Sequence, residues 1–341
     1  IEFFFYVFVD PENFHTAFLP RGSTRKYQMT QRGCLILTML FSGVYGENLV
    51  CAKTALLAIM KTSTPQKLCQ DMASSHYENF PVGSIWISPR IRPHIHAVYA
   101  FARSADDFAD EKAFEGQRLQ SLSLWREELK HCQDRKSENP IFQALAKTLQ
   151  ETALPMEWLA MLLDAFEQDV RKSRYERFEE LLEYAQSSAN PIGRMVLWLH
   201  GYQSPAAFEY SDAICTALQL ANFWQDIAVD LEKDRVYLPE QAIKTFGYSY
   251  EELFARKSTK AFQNLLENLI KKTEVLFERG RPLVDLVEGR LRWELRITFL
   301  GGMRILEKIR AVDYDVFDRR PTLSLFDKVL LLWRAFRWKA Q

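Results

Sequence analysis

The sequence predicts an all-α fold, and three observations carry that prediction. The 341 residues include only 13 Gly and 13 Pro, too few for a β-sandwich or a Gly-rich nucleotide-binding sheet. Several prolines stand where a helix would begin, and the stretches between breakers are long. Hydrophobic residues make up 48% and aromatics 13%, which allows a sizeable core. Thr64-Pro65 reads as an N-cap and first helical residue, opening a helix to about Tyr77. Pro81, Pro89 and Pro93 punctuate a connection before a long helix at 94–110, and the next helix covers about 116–132. Asn139-Pro140 opens a helix to Thr152, and Pro155 opens one to about Arg174. Residues 178–199 are interrupted only at Asn190-Pro191, and Ser204-Pro205 starts the helix that holds Gln219 to Asp230. Pro239 restarts a helix that Gly247 ends. Amphipathic stretches at 251–279 and 283–309 follow. The last segment, 323–338, is apolar on one side, with Arg334, Arg337 and Lys339 at its end.

Residues 1–60 do not fit this pattern. The chain begins at Ile1, and Arg21, Arg25, Lys26 and Arg32 precede an apolar run at 34–46 that is too short to span a bilayer. That order is signal-peptide-like, but nothing later suggests export. The favoured reading makes 1–60 an atypical extension upstream of the native start, with Met60 as a first residue, and 61–341 a single helical domain. Lys and Arg together number 44, as do Asp and Glu, which argues against a nucleic-acid binder. Cys34, Cys51, Cys69, Cys132 and Cys215 are odd in number and scattered, as expected of reduced thiols in the cytoplasm. The six histidines show no HxxxH or HExxH spacing, and His94 and His96 would face different sides of a helix.

Two acidic clusters carry the functional information. The first runs Tyr99-Ala-Phe-Ala-Arg103-Ser-Ala-Asp106-Asp107-Phe-Ala-Asp110-Glu111, and the second Gln219-Leu-Ala-Asn222-Phe-Trp-Gln-Asp226-Ile-Ala-Val-Asp230. Asp106 and Asp110 are four apart, as are Asn222, Asp226 and Asp230, so a helix stacks each set on one face. Carboxylates on a solvated helix face would be the ordinary reading. Here the flanks are apolar, so the acids are expected to line a cavity, and two such faces opposed would repel unless something positive lay between them. Oxygen-only ligands suit Mg²⁺, with Mn²⁺ as the alternative, bridging carboxylates to a substrate diphosphate. Arg103 and Arg235 can supply forked donors to that diphosphate, or Arg103 can pair with a carboxylate of its own helix.

On these residues the chain resembles the squalene/phytoene synthase family over about 64–338. Tyr99, Arg103, Asp106 and Asp110 match its first aspartate motif. Gln219, Asn222, Asp226 and Asp230 match the second, and Arg235–Pro239 the R-V-Y-L-P that often follows. Within the family, residues 76–83, 188–194 and 294–309 resemble the hydroxysqualene synthase branch. The chain departs from the phytoene and squalene synthase pattern at Tyr77-Glu78-Asn79-Phe80, where S-x-S-F is usual. It departs again at 188–193, where V-A-G-x-V-G is usual, and at Gln225 and Val229 in the second motif.

The resemblance implies a helical bundle of the trans-isoprenoid diphosphate synthase type with a central apolar cavity. It implies Asp106, Asp110, Asn222, Asp226 and Asp230 as metal ligands, and Arg103, Gln219, Asn222, Arg235, Tyr237, Phe80 and Asn79 as substrate contacts. Tyr99 and Tyr184 would steer a carbocation or hold a water. The implied reaction takes presqualene diphosphate to hydroxysqualene without a nicotinamide cofactor. The alternatives are presqualene diphosphate synthesis, or one-enzyme squalene or phytoene synthesis from farnesyl or geranylgeranyl diphosphate. A non-enzymatic member is disfavoured, because every ligand position is filled. Expected partners are the prenyl diphosphate, other enzymes of the squalene pathway, and a peripheral contact at the inner face of the plasma membrane. The final segment could serve that contact, but packing on the domain's own core is favoured for it.

Overall fold

The computed structural model describes residues 64–75, 87–132, 134 and 137–339; the expected extension at 1–60, and Asn79 and Phe80, lie outside them. Among the described residues the regular elements are helices, and the one isolated bridge joins Arg174 to Val236 in parallel. In chain order the first eight are α1 (Pro65–Ser75), α2 (Arg92–Asp110), α3 (Arg118–Cys132), α4 (Pro140–Thr152), α5 (Met156–Arg171), α6 (Phe178–Ser188), α7 (Asn190–Leu199) and α8 (Pro205–Gln225). Then come α9 (Ile227–Glu232), α10 (Glu240–Thr245), α11 (Tyr250–Phe254), α12 (Lys260–Gly280), α13 (Pro282–Leu286), α14 (Gly289–Ala311) and α15 (Leu325–Phe336).

Local chemistry explains where most of them start and stop. Asn139 Oδ1 accepts the Ile141 N–H at 3.0 Å ahead of Pro140, and Ser204 Oγ accepts the Ala207 N–H at 3.2 Å ahead of Pro205. Gly247 takes a left-handed φ of 67° after α10. Its N–H reaches the Lys244 carbonyl and the Tyr248 N–H reaches that of Ile243, the paired closure of a Schellman motif.

Three predicted spans require correction. The helix expected over 251–279 is broken, because Ser249 and Thr259 each cap a separate start and Arg256 between them has φ 53°. The one expected over 283–309 is broken between α13 and α14, where Gly289 has φ 60°. The one expected from Pro155 to Arg174 stops at Arg171, because the following backbone pairs elsewhere: Ser173, Tyr175 and Glu176 carbonyls accept the N–H groups of Val236, Glu240 and Gln241.

Two cores result. One, among α2, α3, α4 and α5, is built on Trp125, whose ring meets Phe101, Phe108 and Phe142 and whose Nε1–H donates to the Phe101 carbonyl. The other surrounds α8, which packs against α6, α7, α12 and α14 and is buried at every residue from Ala213 to Gln225. Close approach on three sides depends on glycine. Gly193 of α7 faces Ser211 and Cys215, Gly280 of α12 faces Tyr210 and Ile214, and Gly302 of α14 faces Leu218. At Gly280 an added Cβ would lie 2.7 Å from the Tyr210 carbonyl oxygen and 2.9 Å from the Ile214 nitrogen, backbone atoms that cannot rotate away.

Gly280→Ala therefore tests α8 packing with a definite sign. Helix propensity alone favours alanine by about 0.5–1 kcal/mol. The backbone clash should outweigh it and destabilise the protein by about 1–3 kcal/mol. Denaturant unfolding of the two proteins measures the difference, and an unchanged or raised midpoint would contradict the close crossing.

Candidate active site

Asp106 and Asp110 sit on α2 as predicted, on a helix otherwise buried through Ala102, Ala105, Phe108 and Ala109. Arg103, one turn earlier, pairs with Asp107 at 2.7 Å and with Asp106 at 3.5 Å. It thus contacts the carboxylates of its own helix. Burial pushes the Asp107 carboxyl up to about 7; Arg103 works against this, and Asp106 and Glu111 add to it.

Asp110, at the end of α2, reaches across the molecule. Lys233 Nζ lies 2.7 Å from its Oδ2, and Arg235 donates to its Oδ1. Burial would raise the Asp110 carboxyl, but Arg235 and Lys233 outweigh it and hold the group below the usual carboxylate range. These two cations follow directly on the second motif, so the motifs meet through them.

The second motif is not one continuous helix. α8 ends at Gln225 and α9 begins at Ile227, with Asp226 between them at φ −105°, ψ 14°. This corrects the expectation of one continuous helix through Asn222, Asp226 and Asp230. The Asp226 N–H still reaches the Asn222 carbonyl and the Asp230 N–H that of Asp226, each at 2.9 Å, so the break is a kink of one residue. Side chains brace it. Asn222 Nδ2 donates to Asp226 Oδ2 at 2.7 Å, Arg320 Nε to Asp226 Oδ1 at 2.6 Å, and Gln225 Nε2 to the Pro321 carbonyl at 2.6 Å. Gln219 is buried on the same helix, and Asp230 is half-buried on α9.

The backbone pairing that ends α5 also places Arg235 and Tyr237 beside Asp169. Asp169 is half-buried, with its Oδ1 closed off from solvent, and its Oδ2 accepts the Tyr184 hydroxyl at 2.8 Å. Burial pushes it up to about 6, with Arg235 and the Tyr184 bond opposing. Burial, and then the negative Asp169, drive the Tyr184 and Tyr237 hydroxyls well above their ordinary value, so both stay protonated. Tyr237 stacks on Phe223 with centroids 3.7 Å apart, and Tyr175 and Tyr184 complete the aromatic wall at 5.6 and 6.3 Å from Tyr237.

Tyr99 is not part of that wall. It belongs to a small cluster with Ala73, Ile87, Ile95 and Leu199, and it lines an apolar cavity between α2 and α7. Ile95, Val98, Ile192 and Met195 also line that cavity, which is small, at about 30 Å³. Tyr99 and Tyr184, the two residues that the resemblance implies for steering a cation or holding a water, thus belong to different clusters.

Asp106, Asp110, Asn222, Asp226 and Asp230 offer only oxygen donors, a set chemically suited to a hard divalent cation. Among the described residues no three Asp, Glu, His or Cys side chains converge as a metal-holding group; Asp110 and Asp226 are engaged by Lys233, Arg235 and Arg320 instead. Three site residues were missed in the sequence. Asp169 was findable, because it continues the apolar stripe Leu159, Leu162 and Phe166 of α5, the same signal that singled out Asp106. Lys233 and Arg320 left no local signal, since their partners are 123 and 94 residues away.

Comparison with known proteins fits this geometry. Residues 73–327 match the squalene/phytoene synthase family profile. The hydroxysqualene synthase of Sinorhizobium fredii is 38% identical over 239 residues, spanning 69% of this chain and 80% of that protein. That of Rhodopseudomonas palustris is 37% identical over the same length. The crystal structure of a squalene synthase from Alicyclobacillus acidocaldarius superposes with TM-score 0.70 at 38% identity, covering 73% of this chain and 94% of that one. A dehydrosqualene synthase structure, at 22% identity and TM-score 0.70, shares the fold. The expected trans-isoprenoid synthase helical bundle is the fold observed. The chain belongs to the squalene/phytoene synthase family and is an isoprenoid-synthesising enzyme.

Proposed function

We propose that this enzyme converts presqualene diphosphate to hydroxysqualene. The observation that carries the reading is the meeting of the two motifs at Asp110, Lys233 and Arg235 beside a wall of buried aromatics. A diphosphate that enters there exchanges for carboxylates as the partner of Lys233 and Arg235, and Arg103 on the first motif and Arg320 against Asp226 of the second have the same chemistry to offer. Asp106, Asp110, Asn222, Asp226 and Asp230 are the residues that would hold Mg²⁺ or Mn²⁺, which supplies charge to the leaving diphosphate when bound. Loss of diphosphate leaves a cyclopropylcarbinyl cation in apolar surroundings. The faces of Tyr184, Tyr237 and Phe223 stabilise positive charge without offering a nucleophile, since both hydroxyls stay protonated. Asp169 fixes the Tyr184 hydroxyl and balances Arg235. The cation rearranges and water adds to it, giving the alcohol and one proton; no hydride donor enters.

The names of the relatives in Sinorhizobium and Rhodopseudomonas support this product, whereas the Alicyclobacillus structure is titled a squalene synthase and favours a second reading, squalene formation. Incubation with presqualene diphosphate and, separately, farnesyl diphosphate, with Mg²⁺ and with or without NADPH, tests the two. Hydroxysqualene from presqualene diphosphate, indifferent to NADPH, is the expected outcome. Squalene formed only with NADPH would replace it with the second reading.

Asp106→Ala and Asp226→Ala should each leave a folded helical protein that turns over at least ~10²-fold more slowly, because each removes a proposed ligand. Circular dichroism and single-substrate turnover check both, and near-normal turnover would mean that these acids are only structural. Asp169→Ala should lower kcat at least ~10-fold with little change in KM, because it acts through Tyr184 and Arg235 and not through the substrate. A loss confined to KM would place Asp169 against the substrate itself.

A further inference from the structure

The last helix, α15, presents an apolar face to the outside. Leu325, Phe326, Val329, Leu332, Trp333 and Phe336 are each more than half exposed, with Phe336 at 77%. At helical spacing these six fall in one sector of about 120°. The opposite side holds the helix to the domain: Leu331 and Ala335 are buried against α14, and Asp327 is buried where it meets Arg304 and Lys308 at 2.7 and 2.6 Å. A Ser324–Asp327 capping box fixes its start. The expectation that this segment packs on its own core is thus correct for one face and leaves the other uncovered by the described residues.

The charged residues of this segment that flank the exposed sector are basic. Asp327 is the helix's one acid and is turned inward, whereas Lys328 stands at one flank of the apolar sector and Arg337 at the other, with Lys339 just beyond. Arg337 lies over the Trp333 ring, 5.0 Å from its centroid. An apolar strip with basic side chains along both edges fits a helix lying in the plane of a bilayer, its rings among acyl chains and its cations at anionic headgroups. A second copy of the chain would bring the same bases against each other. Among the described residues no helix is long and apolar enough to cross a membrane, so contact through this face is peripheral.

We propose that α15 docks the enzyme on an anionic lipid surface through this face. The inference is independent of which product the active site makes. The full chain should co-sediment with vesicles of phosphatidylcholine containing about a third phosphatidylglycerol, and Trp333 should be quenched by brominated acyl chains. Phe326→Ser with Phe336→Ser should weaken binding at least ~10-fold while thermal midpoint and turnover of a soluble substrate are kept. Arg337→Glu with Lys339→Glu should abolish the preference for anionic vesicles, and high salt should weaken binding of the unaltered protein. The proposal is overturned if the unaltered protein ignores these vesicles or the serine variant binds them equally. It is also overturned if the serine substitutions convert a dimer to a monomer in sedimentation, since the face would then be an interface between copies.

Discussion

A buried polar stripe on the enclosed half of one helix is the constraint around which the molecule is arranged. From Ala213 to Gln225, α8 has no exposed residue, yet its end carries Gln219, Asn222 and, at the kink, Asp226. Removing a carboxylate from water is costly unless it is hydrogen-bonded and paired. Asp226 meets that requirement through Asn222 on one oxygen and Arg320 on the other. The loop holding Arg320 must therefore return to the end of α8, and Gln225 ties the next residue of the same loop. Enclosure itself depends most on Gly280, where a Cβ would meet the α8 backbone; at Gly193 and Gly302 it would meet side chains.

The same logic extends to the first motif. Asp110 would face other negative groups if left alone, and Lys233 and Arg235 sit against it. Arg235 in turn is held in place by a backbone ladder of only a few bonds, in which Val236, Glu240 and Gln241 pair with the segment after α5. That short ladder sets Asp169, Tyr184 and Tyr237 around the guanidinium. Asp110 and Asp226 are thus each matched by a cation that the fold holds against them.

The two ends of the chain's function also separate physically. The charged face lies where α2 meets the α9 end of the second motif, whereas Tyr99 and its apolar cavity lie between α2 and α7. α2 is the element common to both. An apolar product leaving such a site has reason to find a membrane nearby, and α15 offers an uncovered apolar face.

Much of this was legible in one dimension. Helix class, the starts at Pro140 and Pro205, the stop at Gly247 and both acidic motifs follow from periodicity and cap chemistry, which act over a few residues. Ser249 and Thr259 carry the same kind of local cap signal, and Asp169 lies on the apolar stripe of its helix. What the sequence could not determine was pairing at long range. The kink at Asp226, the grip of Arg320, the bond of Lys233 to Asp110 and the separation of Tyr99 from Tyr184 depend on which elements become neighbours. Such contacts leave no period in the chain, because a side chain's partner across 94 or 123 residues is chosen by the packing of whole helices and not by its own flanks.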